Sequence, residues 1–201
     1  MTGSFGAARA ARLGRRGLLL APLAFPALAR AEEAGLQALL RRFAALPQSR
    51  ASFTEDKAIP ELDLPLPSEG TLSWQAPDRL EKRTLSPIQE VLRVAGDRLL
   101  YERPDRGIRR EFGLEDQPEM RALVEAIRGT LAGDPGALHR YYDIAFDALP
   151  EGAWRMVLTP LSTRVRAAVQ RILLSGRGPQ ILAVDTEGNG GVTRMRITPL
   201  P

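Results

Sequence analysis

The chain has 201 residues, 28 basic and 24 acidic side chains and no cysteine. Five of the arginines and no acid fall in the first 31 residues, so the rest of the chain carries 23 basic against 24 acidic groups. That balance excludes a nucleic-acid partner, and the lack of cysteine means that the remaining 170 residues hold together by one hydrophobic core without disulfides.

Arg9, Arg12, Arg15 and Arg16 precede an apolar run from Leu18 to Leu28, and Ala29-Arg30-Ala31 is an A-x-A cleavage site. Residues 1–31 therefore read as a cleaved signal peptide and 32–201 as a single domain. The apolar run is short and broken by Pro22 and Pro26, which argues against a membrane span. Arg15-Arg16 leaves both the Sec and the twin-arginine export routes open. No cysteine follows the leader to take a lipid anchor.

From Glu32 to Leu46 the spacing of Leu36, Leu39, Leu40, Phe43 and Leu46 predicts an amphipathic helix ended by Pro47. Alternating runs predict strands near 50–57, 70–76, 79–85, 88–95, 98–103 and 107–112, with Gly96-Asp97 as a hairpin turn. Asp116-Gln-Pro118-Glu119 reads as the capped start of a second helix, whose stripe is Met120, Leu123, Val124, Ile127 and Leu131. A short helical turn follows from Asp134-Pro135 to Tyr141, then strands near 142–148, 153–160, 169–175, 179–186 and 191–198. Helix, strands, helices, strands is the order of an α+β fold with an antiparallel sheet.

Little in the chain resembles catalytic machinery, and no cofactor or metal is expected. His139 is the one histidine and reads as a solvated helix residue, because a catalytic or metal-binding histidine needs company. The neighbours Glu32-Glu33, Glu55-Asp56 and Glu115-Asp116 read as solvated groups at element ends. No phosphate-binding glycine loop and no G-x-S-x-G motif is present.

Alternate strand residues instead define one apolar face. It comprises Phe53, Leu72, Trp74, Leu80, Leu92, Val94, Leu99 and Tyr101 in the first half of the chain. Ile144, Phe146, Trp154, Met156, Leu158, Ile172, Leu174, Met195 and Ile197 continue it in the second. Core packing against the helices accounts for part of it. A smooth aliphatic lining also suits acyl chains, each methylene gaining about 0.8 kcal/mol on leaving water.

Specific spacings carry a family resemblance. Phe53 is followed by Gly70-x-Leu72-x-Trp74-x-x-Pro77, by Pro87 ten residues later, and by the Gly96-Asp97 hairpin before Pro104. Met156-x-Leu158-x-Pro160, Ile172-Leu173-Leu174, Asp185-Thr-Glu-Gly188 and Thr193-x-Met195-x-Ile197 extend the pattern across 33–198. Together they resemble the outer-membrane lipoprotein carrier (LolA) family, in a divergent form.

The resemblance implies a strongly curved, unclosed half-barrel with helices packed into its concave face as a lid. It implies a periplasmic, monomeric, non-enzymatic carrier that shuttles the acyl chains of a lipoprotein or other lipid. The donor would be an inner-membrane exporter and the acceptor would lie in the outer membrane. Phe53, Leu72, Trp74, Leu80, Leu92, Leu99, Tyr101, Ile144, Phe146, Met156, Leu158, Ile172 and Leu174 would line the lipid site. Leu36, Leu40, Phe43, Met120, Leu123, Val124 and Ile127 would form the lid. In that family an arginine before the first proline latches the lid; here Ala76 holds the position, so the latch is absent or moved. Lys82 shares the parity of Leu80 and either meets an anionic head group or is an exposed sheet residue. The alternatives are a lipid or lipoprotein sensor acting through a protein partner, and a cofactorless hydrolase.

Overall fold

The computed structural model describes Thr2 and residues 25–201. Most of the leader assignment thus lies outside the described residues. Its last part, from Phe25, is helical and continues without a break into the first helix, α1 (Phe25–Ala44). The helix starts well before the expected Glu32 because Pro26 suits a first turn and Ala27 to Ala34 is rich in good helix formers. It buries Leu36, Leu39, Leu40 and Phe43. Leu46 lies beyond its end and is exposed, where the sequence placed it on the stripe.

Six strands follow: β1 (Gln48–Ala58), β2 (Leu66–Gln75), β3 (Arg79–Ser86), β4 (Glu90–Ala95), β5 (Arg98–Arg103) and β6 (Ile108–Gly113). A 3₁₀ turn at Leu114–Asp116 leads into α2 (Pro118–Ala132), and α3 (Pro135–Tyr141) comes next. The capping box expected at Asp116 is not made. Gln117 is the N-cap, without a side-chain bond, because the 3₁₀ turn occupies Asp116. Asp134 caps α3 by accepting from the Ala137 N–H. The last strands are β7 (Tyr142–Ala148), β8 (Ala153–Pro160), β9 (Val169–Arg177), β10 (Gln180–Gly188) and β11 (Gly191–Leu200), with α4 (Thr163–Ala168) between β8 and β9.

Among the described residues eleven strands form one antiparallel sheet in the order β6-β5-β4-β3-β2-β1-β11-β10-β9-β8-β7. The chain lays down β1 to β6 outward from the middle, crosses through α2 and α3 to the opposite edge, and returns through β7 to β11 beside β1. Edges β6 and β7 do not pair with each other, so the barrel is unclosed. Among the described residues no helix is long and apolar enough to cross a membrane.

Register explains one motif physically. Gly70 sits where the β2–β3 pairing shifts, opposite Phe53. A Cβ there would stand 1.9 Å from the Arg83 carbonyl oxygen and 3.0 Å from the Phe53 ring. Only glycine lets the backbones approach that closely.

Candidate functional site

Residues directly opposite in neighbouring strands share a face. Following the pairs from Trp74 gives Leu80, Val94, Leu99 and Phe112. From Leu72 the row runs through Lys82, Leu92 and Tyr101. Phe53 pairs with Ile197, and Glu55 with Met195, which leads on through Val184, Leu174 and Met156 to Phe146. Ile172, Leu158 and Ile144 make another row. All thirteen residues named for the lipid site therefore lie on one face, the inner face that carries the helices.

The helices cover that face unevenly. In the β7–β9 half, Phe146, Met156, Leu158, Ile172 and Leu174 are buried with Leu36, Leu40 and Phe43 of α1, and with Leu123 and Ile127 of α2 packed alongside. Trp154 meets Phe43 edge to face at 5.9 Å and donates from Nε1 to the Gly178 carbonyl. A second cluster joins Val94, Leu99, Leu114 and Val124, with Leu80, Leu92, Phe112 and Met120 against it. The helix residues named as lid thus divide between two cores. Between these cores runs a strip that belongs to neither, formed by Phe53, Leu72, Trp74 and Met195, while Tyr101 on β5, opposite Leu92, also lies outside both clusters. Leu72, Tyr101 and Met195 are only partly buried. Trp74 is 3% exposed, and its Nε1 has no hydrogen-bond partner among the described residues.

Among the described residues, charge enters this strip at Lys82 and Glu55. Lys82, on β3, reaches across β2 and donates to both oxygens of Glu55 on β1, at 2.8 and 2.7 Å. Its ammonium lies 4.8 Å from the centre of the Phe53 ring. Ser68 Oγ donates to the same carboxylate at 3.3 Å. Lys82 is therefore on the inner face, not an exposed sheet residue, and its side chain is 30% exposed. Glu55 corrects the sequence reading: it is a half-buried partner of Lys82, with 15% of its side chain exposed, rather than a solvated neighbour of Asp56. The only sequence signal for it is its parity with Phe53, on a strand whose next residue, Asp56, is exposed.

The latch position is empty of an arginine and exposed: Ala76 only donates its N–H to the Pro47 carbonyl. Contacts of the opposite polarity tie helix to sheet instead. Arg128 of α2 donates from Nη1 to the Gly96 carbonyl in the β4–β5 turn at 2.6 Å, and from Nε to Glu125 at 3.1 Å. Glu125 is a buried carboxylate, 4% exposed, and Arg121 stands 3.8 Å from it and 3.2 Å from Asp97. Burial would lower the Arg121 pKa, but a hydrogen bond with Tyr141 and the charges of Asp97 and Glu125 together hold it above its ordinary value. At the other side of the sheet the Tyr142 hydroxyl donates to the Ala122 carbonyl. Helix α2 is thus anchored to β7 and to the β4–β5 turn, across the gap between the two halves.

Two cavities lie away from the strip. One of about 600 Å³ is lined by Phe146, Asp147, Leu149 and Arg155. The other, of about 360 Å³, is the polar space between Pro77, Asp97 and the arginines of α2. Among the described residues no group of three or more acidic, histidine or cysteine side chains could hold a metal ion. His139 is exposed, 4.0 Å from Glu33.

The family model described as outer membrane lipoprotein carrier protein LolA-like matches residues 27–197. The chain belongs to this LolA-like family. No curated protein matches the chain. Among solved structures, a LolA superfamily protein from Nitrosomonas europaea is 10% identical, with a TM-score of 0.41 over 81% of this chain and 91% of its own. The MucA/MucB complex of Pseudomonas aeruginosa gives 15% identity and a TM-score of 0.43, over 81% of this chain and 55% of the matched one. The lipoprotein LppX of Mycobacterium tuberculosis gives 10% and 0.42, over 83% and 94%.

Proposed function

We propose that this LolA-like protein is a periplasmic carrier that takes the acyl chains of a lipoprotein or another lipid onto the strip between its two cores. It works as a monomeric single domain after removal of its leader, without a cofactor and without catalysing a reaction. An inner-membrane exporter loads it and an outer-membrane acceptor unloads it. The observation that carries this reading is the partly buried apolar strip on the inner face of a chain in a lipoprotein-carrier-like family.

The energetics favour such a role. An acyl chain of about sixteen carbons gains about 10 kcal/mol gross on leaving water, from which the cost of ordering it is subtracted. Aliphatic side chains provide that gain without directional bonding. Cargo that enters the strip from the Val94–Leu99 side meets Met120 and Val124, so loading shifts α2 from its Arg128–Gly96 anchor. The closed form and the loaded form then compete for the same face.

Native mass spectrometry of the protein purified from its own periplasm tests the reading. Bound lipid or lipoprotein at about one copy per chain is the expected result. A chain that carries no lipid, and takes none from acyl-lipid vesicles, rules the carrier role out.

A further inference from the structure

The ion pair in the strip has a chemical consequence for cargo. Lys82 and Glu55 stand on the inner face among mostly apolar neighbours. Their row neighbours are Leu72 and Leu92 for the lysine, and Met195 and Ser68 for the glutamate. Replacing a buried ion pair by apolar groups is commonly neutral or stabilising, so the pair is poorly explained as a stability device. It is also accessible, since 30% of the lysine side chain and 15% of the glutamate side chain face solvent.

The next polar groups along the same face are balanced in the same way. Tyr101 donates to Glu90 at 2.8 Å, and Arg103 stands 3.9 Å from Glu90 and 3.1 Å from Asp105. In the opposite direction the row from Trp74 to Phe112 is wholly apolar. The face therefore grades from apolar at the Trp74 row to charge-paired at the strand ends near Ser68, Thr84 and Glu90.

We infer that the Lys82–Glu55 pair is a head-group site selective for a zwitterionic phospholipid carrying a phosphate and a primary ammonium. The inference rests on the carrier reading and names the class of lipid. A lone anionic head group would take Lys82 and leave the Glu55 carboxylate desolvated beside it, retaining only the Ser68 bond. A lone cation would strand Lys82. A phosphate joined to a primary ammonium by a short linker satisfies both: the phosphate receives the Lys82 N–H donors, and the ammonium donates to Glu55 over the Phe53 ring. A quaternary ammonium keeps the ring contact but has no N–H to give Glu55. The acyl chains then run toward Trp74, away from the charged end.

The experiment measures lipid retained by the purified protein after exposure to vesicles of phosphatidylethanolamine, phosphatidylglycerol or phosphatidylcholine with matched acyl chains. The wild type should retain phosphatidylethanolamine over phosphatidylglycerol by about tenfold. Glu55→Gln, nearly isosteric, should remove that preference or turn it toward phosphatidylglycerol. Lys82→Met should weaken retention of all three lipids, since each carries the phosphate that Lys82 would meet. The exchange Glu55→Lys with Lys82→Glu should restore the zwitterion preference, and should that double variant not fold, Glu55→Gln alone decides. Equal retention of all three lipids by the wild type, or a ratio unchanged in Glu55→Gln, overturns the head-group site and leaves the carrier role standing. Retention of no lipid at all fells the carrier role and the site with it.

Discussion

Tyr142 joins edge strand β7 to α2 by one hydrogen bond, from its hydroxyl to the Ala122 carbonyl. Burial pushes this hydroxyl well above its ordinary pKa, and the nearby Glu125 charge adds to the rise. A raised folded-state pKa means that the neutral form is favoured by folding. Its contribution is complete below the unfolded value of about 10 and is lost as pH rises from there toward the folded value. Tyr142→Phe should therefore cost about 1 kcal/mol at about pH 8. The gap to the wild type should shrink at about pH 11, because only the wild type gains an ionisable group on unfolding. Urea midpoints at the two pH values check this. A gap that is the same at both would show that the hydroxyl titrates alike in the folded and unfolded chains.

At the scale of elements, α2 is the piece whose hold on the sheet can be loosened selectively. Arg128 gives one bond to the Gly96 carbonyl and neutralises the buried Glu125. Arg128→Ala removes a charged hydrogen bond worth about 1.5–3 kcal/mol, so amide exchange in 118–132 should speed up by about tenfold or more. Exchange in β8 and β9 should stay slow, and lipid uptake should quicken as the closed form loses its anchor. Acceleration spread evenly over the chain would instead mean a global loss of stability, and α2 would not be a separately moving part. Much of this scale is legible in the sequence, because strand alternation and helix stripes are local. The shared face of Phe53, Leu72, Trp74 and Leu80 follows from parity alone. The six-residue α4 is too short to display a stripe, although Ser162 caps it. The anchors escaped because they are tertiary. Glu55 and Lys82 stand 27 positions apart across a third strand, and nothing local tells that the polar side of α2 meets the β4–β5 turn.

For the molecule as a whole, the inner face combines two tasks that separate along the sheet. The β7–β9 half is a conventional core: Met156, Leu158 and Leu174 have no exposed surface, and α1 covers them. The strip at β1, β2 and β11 belongs to neither core, and its Leu72 and Met195 stand partly in solvent. Substitutions should therefore act oppositely in the two places. Met156→Ala creates a cavity in a sealed core and should cost about 2–5 kcal/mol, while the molecules that remain folded bind lipid as before. Leu72→Trp enlarges a side chain that already has solvent on one side, so its effect on stability should be small, within about 1 kcal/mol. The added ring would occupy the space an acyl chain needs, and lipid retention should fall by about tenfold or more. Thermal unfolding and vesicle uptake, measured on both variants, give four numbers that must cross in this pattern. If Leu72→Trp leaves uptake intact while Met156→Ala abolishes it in folded protein, the acyl chains lie under α1 in the β7–β9 half, and the strip is only the seam between two cores.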